Sequence, residues 1–398
     1  MRTKGTAGVD WEVRVDFSRL RAERAAKAQE EMEKHEDIGA LVLFRESNIR
    51  YVTGSWIGNW VVDKMPYRYA FLPRGGKPIL YGCWHDCEQQ EEQHLMPWID
   101  VRLNRTSRRG GIGAEATKII TGQWATDLKN ALKEFGVSGM KVGFDLLDWP
   151  MVEALQEANI QCCDAQSLME MARIVKTEDE MEILRQAATI GTAALWACKD
   201  AMQPGIRERE LDGVAAKAVY SLGCEHTVEL HCFSGQNTNP NFSRTQDRMI
   251  DYGDMVNIDV IHQHLGYQVP CHRNFVCGGK PTQRQIDVNR KCRDIVYTMI
   301  DAIKAGVTTL DVLKVMPSGL VHGIGTSHWG MPYISPRDED RFATEQFPIE
   351  LKENMCLGPE TWVGDDEGKE GALIQEVGFV TKTGFEVITK FPSNELMG

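Results

Sequence analysis

The chain lacks any run of about eighteen apolar residues, the length a membrane-spanning helix requires, so no membrane span is expected. Its first residues, Met1-Arg2-Thr3-Lys4-Gly5, are basic, but no apolar stretch follows and no secretory leader is expected. Positive charge is in deficit: 45 Lys and Arg stand against 57 Asp and Glu, a formal net charge of −12. A surface of that sign repels a polyanion, and no nucleic-acid partner is expected. Paired zinc-knuckle spacing is lacking too, since Cys83-Trp84-His85-Asp86-Cys87 is answered by no second Cys/His pair. The eleven cysteines are odd in number and irregularly spaced. In a chain long enough for two domains and a large core they read as free thiols, which fits a cytoplasmic protein. Adjacent Cys162 and Cys163 read as a strand end, because neighbouring cysteines rarely reach disulfide geometry.

What is present divides near residue 170. Residues 1–15 are polar and read as a flexible arm. Arg19–Glu36, rich in Ala, Glu, Lys and Arg, predicts a helix. Ala40–Phe44, Tyr69–Leu72, Pro78–Tyr81 and Lys141–Asp145 predict strands, with a second helix over Thr121–Phe135. This alternation predicts an α/β N-terminal domain over residues 16–170. Thr177 followed by Glu180 is a capping box, and a long helix should run from there to about Met202, ahead of Pro204-Gly205. Further helices are predicted over Arg207–Gly223 and Gln283–Ala305, with strands between them. Residues 171–398 therefore read as a strand-rich domain with helices on one face, and the whole chain as α+β.

Four residues of this second half combine chemistry with apolar strand context. Asp259 interrupts the run from Met255 to Ile261, where an acid is costly unless paired, protonated or metal-bound. His322 sits in Val321-His322-Gly323-Ile324-Gly325, whose glycines permit close backbone approach. Glu360 follows Cys356-Leu357-Gly358-Pro359, and Glu376 follows Ala372-Leu373-Ile374-Gln375. Two acids on neighbouring strands can share a metal or a proton, and without a cation one of them should have a raised pKa. His262, His264 and His272 lie near Asp259. Strand alternation puts His262 and His264 on the face opposite Asp259, which weakens a rebuilt metal site, and all three read as surface or pocket-rim histidines.

The order Asp259, His322-Gly323-Ile324-Gly325, Glu360, Glu376 resembles the creatinase/prolidase/methionine-aminopeptidase superfamily, over roughly residues 15–398. Ser47–Gly54, Ser234-Gly235, Thr238-Asn239-Pro240 and Gly253-Asp254 are similar to the creatinase and dimethylsulfoniopropionate lyase branches. The resemblance implies a pita-bread catalytic domain with a curved, largely antiparallel sheet. It also implies a homodimer in which the N-terminal domain of one subunit covers the other's pocket. In the metal-dependent branches the first strand carries two aspartates and a third follows Gly-Tyr by three residues. Here those places read Asp259, Ile261 and Pro270. His328 matches the peptidase-type histidine that contacts substrate or developing oxyanion. Trp56, Trp60, Trp329 and Trp362 fall in segments near the pocket, where aromatic faces hold onium cations or stack on aromatic substrates. Arg68 matches an arginine that reaches a substrate carboxylate, and Tyr267 is a further substrate-binding candidate.

Proline offers no carboxylate, which argues against a binuclear peptidase. The expectation is therefore an enzyme without a cofactor, a lyase or hydrolase cleaving a C–S, C–N or C–C bond of a small zwitterionic or aromatic molecule. Its catalytic residues are expected to be His322, His328, Glu360, Glu376 and Asp259, with His322 as the acid or base and His328 stabilising negative charge. The alternative cofactor is a single divalent Fe, Mn or Zn on Asp259, His322, Glu360 and Glu376. The alternative functions are a metal-dependent Xaa-Pro peptidase or dimethylsulfoniopropionate lyase, and a non-catalytic binding module.

Overall fold

A computed structural model describes residues 14–56, 68–82, 93–104, 111–239, 244–394 and 396. Trp60, the cysteine-rich segment at 83–87 and residues 1–13 of the expected arm lie outside the described residues. Val15, at the end of that arm, is buried. The described residues form two compact units, the first within 16–173 and the second within 174–398 together with Arg14 and Val15.

The first unit contains helices α1 (Phe17–Glu33), α2 (Glu46–Thr53), α3 (Ala114–Glu134), α4 (Trp149–Glu157) and α5 (Gln166–Arg173). Its strands are β1 (Ile38–Leu43), β2 (Tyr69–Pro73), β3 (Ile79–Tyr81), β4 (Asp100–Arg102), β5 (Lys141–Phe144) and β6 (Cys162–Asp164). They form one mixed sheet in the order β4-β3-β2-β1-β5-β6. Alternate residues of β1 feed two cores, as a strand buried on both faces requires. Leu41 and Leu43 pack with Met32 and Met169, whereas Ala40 and Val42 pack with Trp124, Leu128 and Leu155. The expected α/β N-terminal domain is therefore a sheet covered by helices on both faces.

The second unit begins with α6 (Glu178–Ala201) and α7 (Glu208–Ser221). Thr177 accepts from the Glu180 amide and Glu180 accepts from the Thr177 amide, the capping box expected of the sequence. Strands β7 (His226–Ser234), β8 (Met255–His264) and β9 (Tyr267–Val276) follow, then α8 (Gln283–Ala302) and α9 (Thr309–Val315). The chain continues through β10 (Leu320–Gly323), β11 (Gly330–Ile334), α10 (Asp338–Gln346), β12 (Cys356–Gly364), β13 (Gly371–Gln375), β14 (Gly378–Val380) and β15 (Phe385–Val387). The main path of the sheet is β11-β10-β12-β13-β9-β8-β7, with β14 paired to β12 and to β15. Every pairing is antiparallel, as the fold class requires.

A two-residue turn sets the register of the long β8–β9 hairpin. Leu265 and Gly266 have φ of 48° and 88°, and positive φ at both positions is the mark of a type I′ turn. The pairs His264↔Tyr267, Ile261↔Pro270 and Asp259↔His272 follow from it. One face of this hairpin carries Val260, His262, Cys271 and Arg273 and packs beneath α6. There Gly191 of α6 meets Cys271: a Cβ at Gly191 would lie 2.4 Å from Cys271 Sγ and 3.2 Å from the His262 ring. Gly191→Ala should therefore overpack the interface and cost about 1–3 kcal/mol in urea unfolding. Cys271→Ala in the same chain should recover part of that loss, which a double-mutant cycle reads directly.

Candidate active site

The other face of the sheet carries the chemistry. Directly opposed residues on antiparallel strands project to the same side. The register joins His231↔Asp259, Asp259↔His272, His272↔Gln375 and Gln375↔Glu360 into one polar row across β7, β8, β9, β13 and β12. All five side chains line a cavity of about 240 Å³, together with Glu229, Arg244, His322, His328 and Trp329. Ile261, Pro270, Phe233 and Leu373 supply its apolar wall.

Asp259, His322, His328 and Glu360 are thus brought together as expected, each 6% exposed or less. Glu376 is not. Strand alternation turns it to the rear of β13, where Arg273 Nη2 donates to it at 2.8 Å and the Thr389 hydroxyl donates to the same oxygen. The inward position carries an amide, Gln375, which donates to His322 Nε2 at 2.9 Å. His272 is also placed against expectation, deep in the wall rather than at a rim. Its Nε2 lies 2.6 Å from Asp259 Oδ1 and its Nδ1 lies 3.7 Å from Glu360 Oε2. His262 and His264 do lie on the opposite face, but buried, with His264 contacting Gln186 and the Gly223 carbonyl.

The aromatic and arginine candidates divide similarly. Trp329 is 45% exposed and stacks on the His322 ring at 4.6 Å. Trp362 lies under the Arg337 guanidinium and is not part of the cavity wall. Tyr267 is fully buried on the rear face, where its hydroxyl donates to Glu180 at 2.8 Å, so it is a packing residue. In the first unit Arg68 is 1% exposed and ion-paired with Glu46, and Trp56 carries the Arg50 guanidinium on its ring at 5.0 Å. Sequence reasoning passed over Gln375, Glu229, His231 and Arg244. Counting pairs outward from the Leu265-Gly266 turn would have placed His272 beside Asp259.

Burial governs the protonation states. It pulls His322 down to about 3, with His328 adding to the effect, so His322 stays neutral and does not titrate near neutrality as expected. Burial also pushes Glu360 up to about 7, where His272 opposes it and Asp259 reinforces it. His272 is held above its ordinary value because Asp259 and Glu360 together outweigh the cost of burial. Between Glu229 and His231 the Nε2–Oε2 distance is 3.2 Å, and this contact lowers the carboxyl below its usual range.

Several buried atoms around the cavity have no hydrogen-bond partner among the described residues: Asp259 Oδ1, both His272 nitrogens, His322 Nδ1, His328 Nε2 and Gln375 Oε1. The 2.6 Å approach of His272 to Asp259 is thus an ion contact without hydrogen-bond alignment. Each such atom costs about 1–3 kcal/mol if left unpaired. Imidazole nitrogens and carboxylate oxygens are the donors that zinc, iron or manganese accept, so Asp259, His272, His322 and Glu360 fit a divalent cation in chemistry and burial. Among the described residues no three such donors are already gathered around one point.

The titration of this row has a readable consequence in chelator-dialysed protein. A folded pKa above the ordinary 4.5 means that native Glu360 binds more protons than the unfolded chain between about pH 4.5 and 7. Stability contributed here is complete below that window and declines as pH rises through it. His272, also raised, acts in the same direction above about pH 6.5. Urea unfolding of wild type against Glu360→Gln should give a difference that shifts against wild type by on the order of 3 kcal/mol from pH 4.5 to 7.5. A difference independent of pH would refute the assignment.

The description "Metallopeptidase family M24" matches residues 182–382, and "Creatinase/Prolidase N-terminal domain" matches 24–175. The uncharacterized hydrolase/peptidase y4tM of Sinorhizobium fredii is 24% identical over 90% of this chain and 92% of its own length. Dimethylsulfoniopropionate lyase DddP of Roseovarius nubinhibens is 21% identical over 91% and 84%. A Xaa-Pro dipeptidase of Pyrococcus furiosus is 27% identical over 61% and 72%. Among solved structures, a Xaa-Pro dipeptidase from Bacillus anthracis shares the fold with a TM-score of 0.75 at 19% identity, covering 95% of this chain and all of that one. No helix among the described residues is long and apolar enough to cross a membrane. The expectation of an enzyme without a cofactor, with a single Fe, Mn or Zn as its alternative, is corrected by the first match, because the matched family is one of metallopeptidases. That model spans half the chain and the N-terminal model most of the rest, so the chain belongs to metallopeptidase family M24, with a creatinase/prolidase N-terminal domain.

Proposed function

We propose that this chain is a non-peptidase member of its family, which cleaves a C–S, C–N or C–C bond of a small zwitterionic or aromatic molecule by acid–base chemistry. One observation carries the reading. The polar row offers titratable groups of different character in one small cavity, while Gln375 in the row and Pro270 in the adjoining apolar wall stand at inward positions without a carboxylate. A peptidase that generates hydroxide between two clamped ions needs carboxylates to bridge them. This wall has Asp259 and Glu360 with an imidazole between them, while its third carboxylate, Glu229, is engaged by His231 on β7.

The roles follow from position. His328, at the cavity wall beside Trp329, moves a proton to or from the substrate. Glu360, poised near pH 7, supplies or receives the second proton. Neutral His322, held by Gln375 and covered by Trp329, orients the substrate by hydrogen bonding. The half-exposed Trp329 ring receives a flat or onium group. A divalent ion held by Asp259, His272, His322 and Glu360 would supply Lewis acidity and polarise a substrate oxygen. The homodimer expected from the resemblance belongs to the same reading and is checked by sedimentation.

The test is a paired assay of the protein as purified, with metal content measured alongside. A panel of sulfonium, guanidino and aromatic small molecules is set against Xaa-Pro dipeptides. Turnover is expected on the first panel and not on the second. His328→Ala should lower kcat by about 10²–10⁴-fold. Dipeptide turnover abolished by a chelator would make the chain a peptidase. Binding without turnover on either panel, unchanged by His328→Ala, would make it a binding module.

A further inference from the structure

Gln268 lies on β9, on the same face as Pro270 and His272, yet it is not part of the cavity wall. It reaches the site through His328. We propose that Gln268 is a positioning residue that fixes His328 as its Nδ1–H tautomer, so that Nε2 faces the cavity as a proton acceptor. The inference rests on the acid–base reading of the site and adds to it the direction of the first proton transfer.

The His328 backbone N–H donates to one atom of the Gln268 amide at 3.1 Å. A backbone N–H can only donate, so that atom is the oxygen, and the ambiguity between amide O and N is settled by the network itself. The same oxygen lies 2.8 Å from His328 Nδ1. An amide oxygen cannot donate, so Nδ1 carries the proton. The other end of the amide agrees, since Gln268 Nε2 donates to Gln263 Oε1 at 3.3 Å. The backbone is pinned as well, with the Gln268 N–H donating to the Gly325 carbonyl at 2.8 Å. In a neutral imidazole with hydrogen on Nδ1, Nε2 bears a lone pair. That atom is buried, belongs to a side chain that lines the cavity, and has no hydrogen-bond partner among the described residues.

This reverses the role expected of His328. An oxyanion is stabilised by a donor, and Nε2 in this tautomer cannot donate until it has taken a proton. The first event at His328 is therefore removal of a proton from substrate. The proton goes to Nε2, the bonding pair stays with the substrate, and the imidazolium so formed keeps its Nδ1–H on Gln268. A group leaving later can be protonated from the same Nε2, which returns the ring to its starting state.

The tautomer is read by long-range ¹H–¹⁵N correlation on the protein as purified, labelled with ¹⁵N-histidine, with the His328 signals assigned by their loss in His328→Gln. Wild type should show a protonated, pyrrole-type Nδ1 and an unprotonated Nε2. Gln268→Glu keeps the acceptor and should keep that pattern. Gln268→Leu removes it and should populate the Nε2–H form, with kcat on an identified substrate reduced about 10–100-fold and KM little changed. An Nε2–H tautomer in wild type, an Nε2 signal shifted by a bound metal, or a pattern unmoved in Gln268→Leu would each overturn the proposal. The wild-type spectrum decides even if the leucine variant does not fold. The tautomer can also stand while no small molecule is turned over, in which case the functional reading fails and this assignment survives.

Discussion

The register of the β8–β9 hairpin is the constraint on which the site depends. Side chains in a strand alternate, so a slip of one residue would exchange every wall residue for its rear neighbour. Asp259 would then face the cavity beside Cys271 or Arg273 rather than His272. The type I′ turn at Leu265-Gly266 prevents that slip by accepting positive φ at both positions, an uncommon geometry for leucine. Burial of the rear face reinforces it, since Val260, Cys271 and Val269 leave the core if the register moves.

From that register the electrostatics follow. Asp259, His272 and Glu360 are buried side by side in a medium where an isolated charge is costly. The imidazole between the carboxylates answers part of that cost, which is why its affinity for a proton rises although burial alone would lower it. Glu360 lies farther from the ring than Asp259, and burial wins there, leaving its carboxyl raised. His322 meets Gln375, the Trp329 ring and the neighbouring His328 rather than a carboxylate, so burial drives it neutral. His272, Glu360 and His322 are thus set to different states by the balance of burial against their neighbours.

Much of this was legible in the sequence, and what was not depends on parity along a strand or on partners distant in the chain. Asp259, His322 and Glu360 stood out because a polar residue inside an apolar strand is costly and needs a partner. Helix α6 was legible from its capping box, and α7 and α8 lie within a few residues of their predicted spans. The charge of Glu376 marks it as a candidate, but strand parity excludes it from the cavity. A strand that sends Leu373 and Gln375 inward must send the next residue outward, and Arg273 waits for it there. His272 was read as a rim residue because its partner across the turn was not counted. Arg68 and Tyr267 carry polar groups that looked functional, but Glu46 pairs with the Arg68 guanidinium and Glu180 accepts from the Tyr267 hydroxyl. Such pairings join residues 22 and 87 positions apart, and nothing local in the chain announces them.

The rear of the sheet also bears on the chemistry at its front. Cys271 and His272 are consecutive, one pressed against Gly191 of α6 and the other against Asp259. The backbone between them has no freedom to shift toward either side without a clash or a lost contact. Arg273 completes the clamp, with its guanidinium donating to the Gln375 carbonyl at 2.7 Å as well as to Glu376. It thereby ties β9 to the strand that presents Gln375 to His322. A residue that never enters the cavity, held by an acid that was expected to work inside it, thus fixes the spacing of two wall strands. The acidic pattern that drew attention to Glu376 was a genuine signal of the site, but of its scaffold rather than its chemistry.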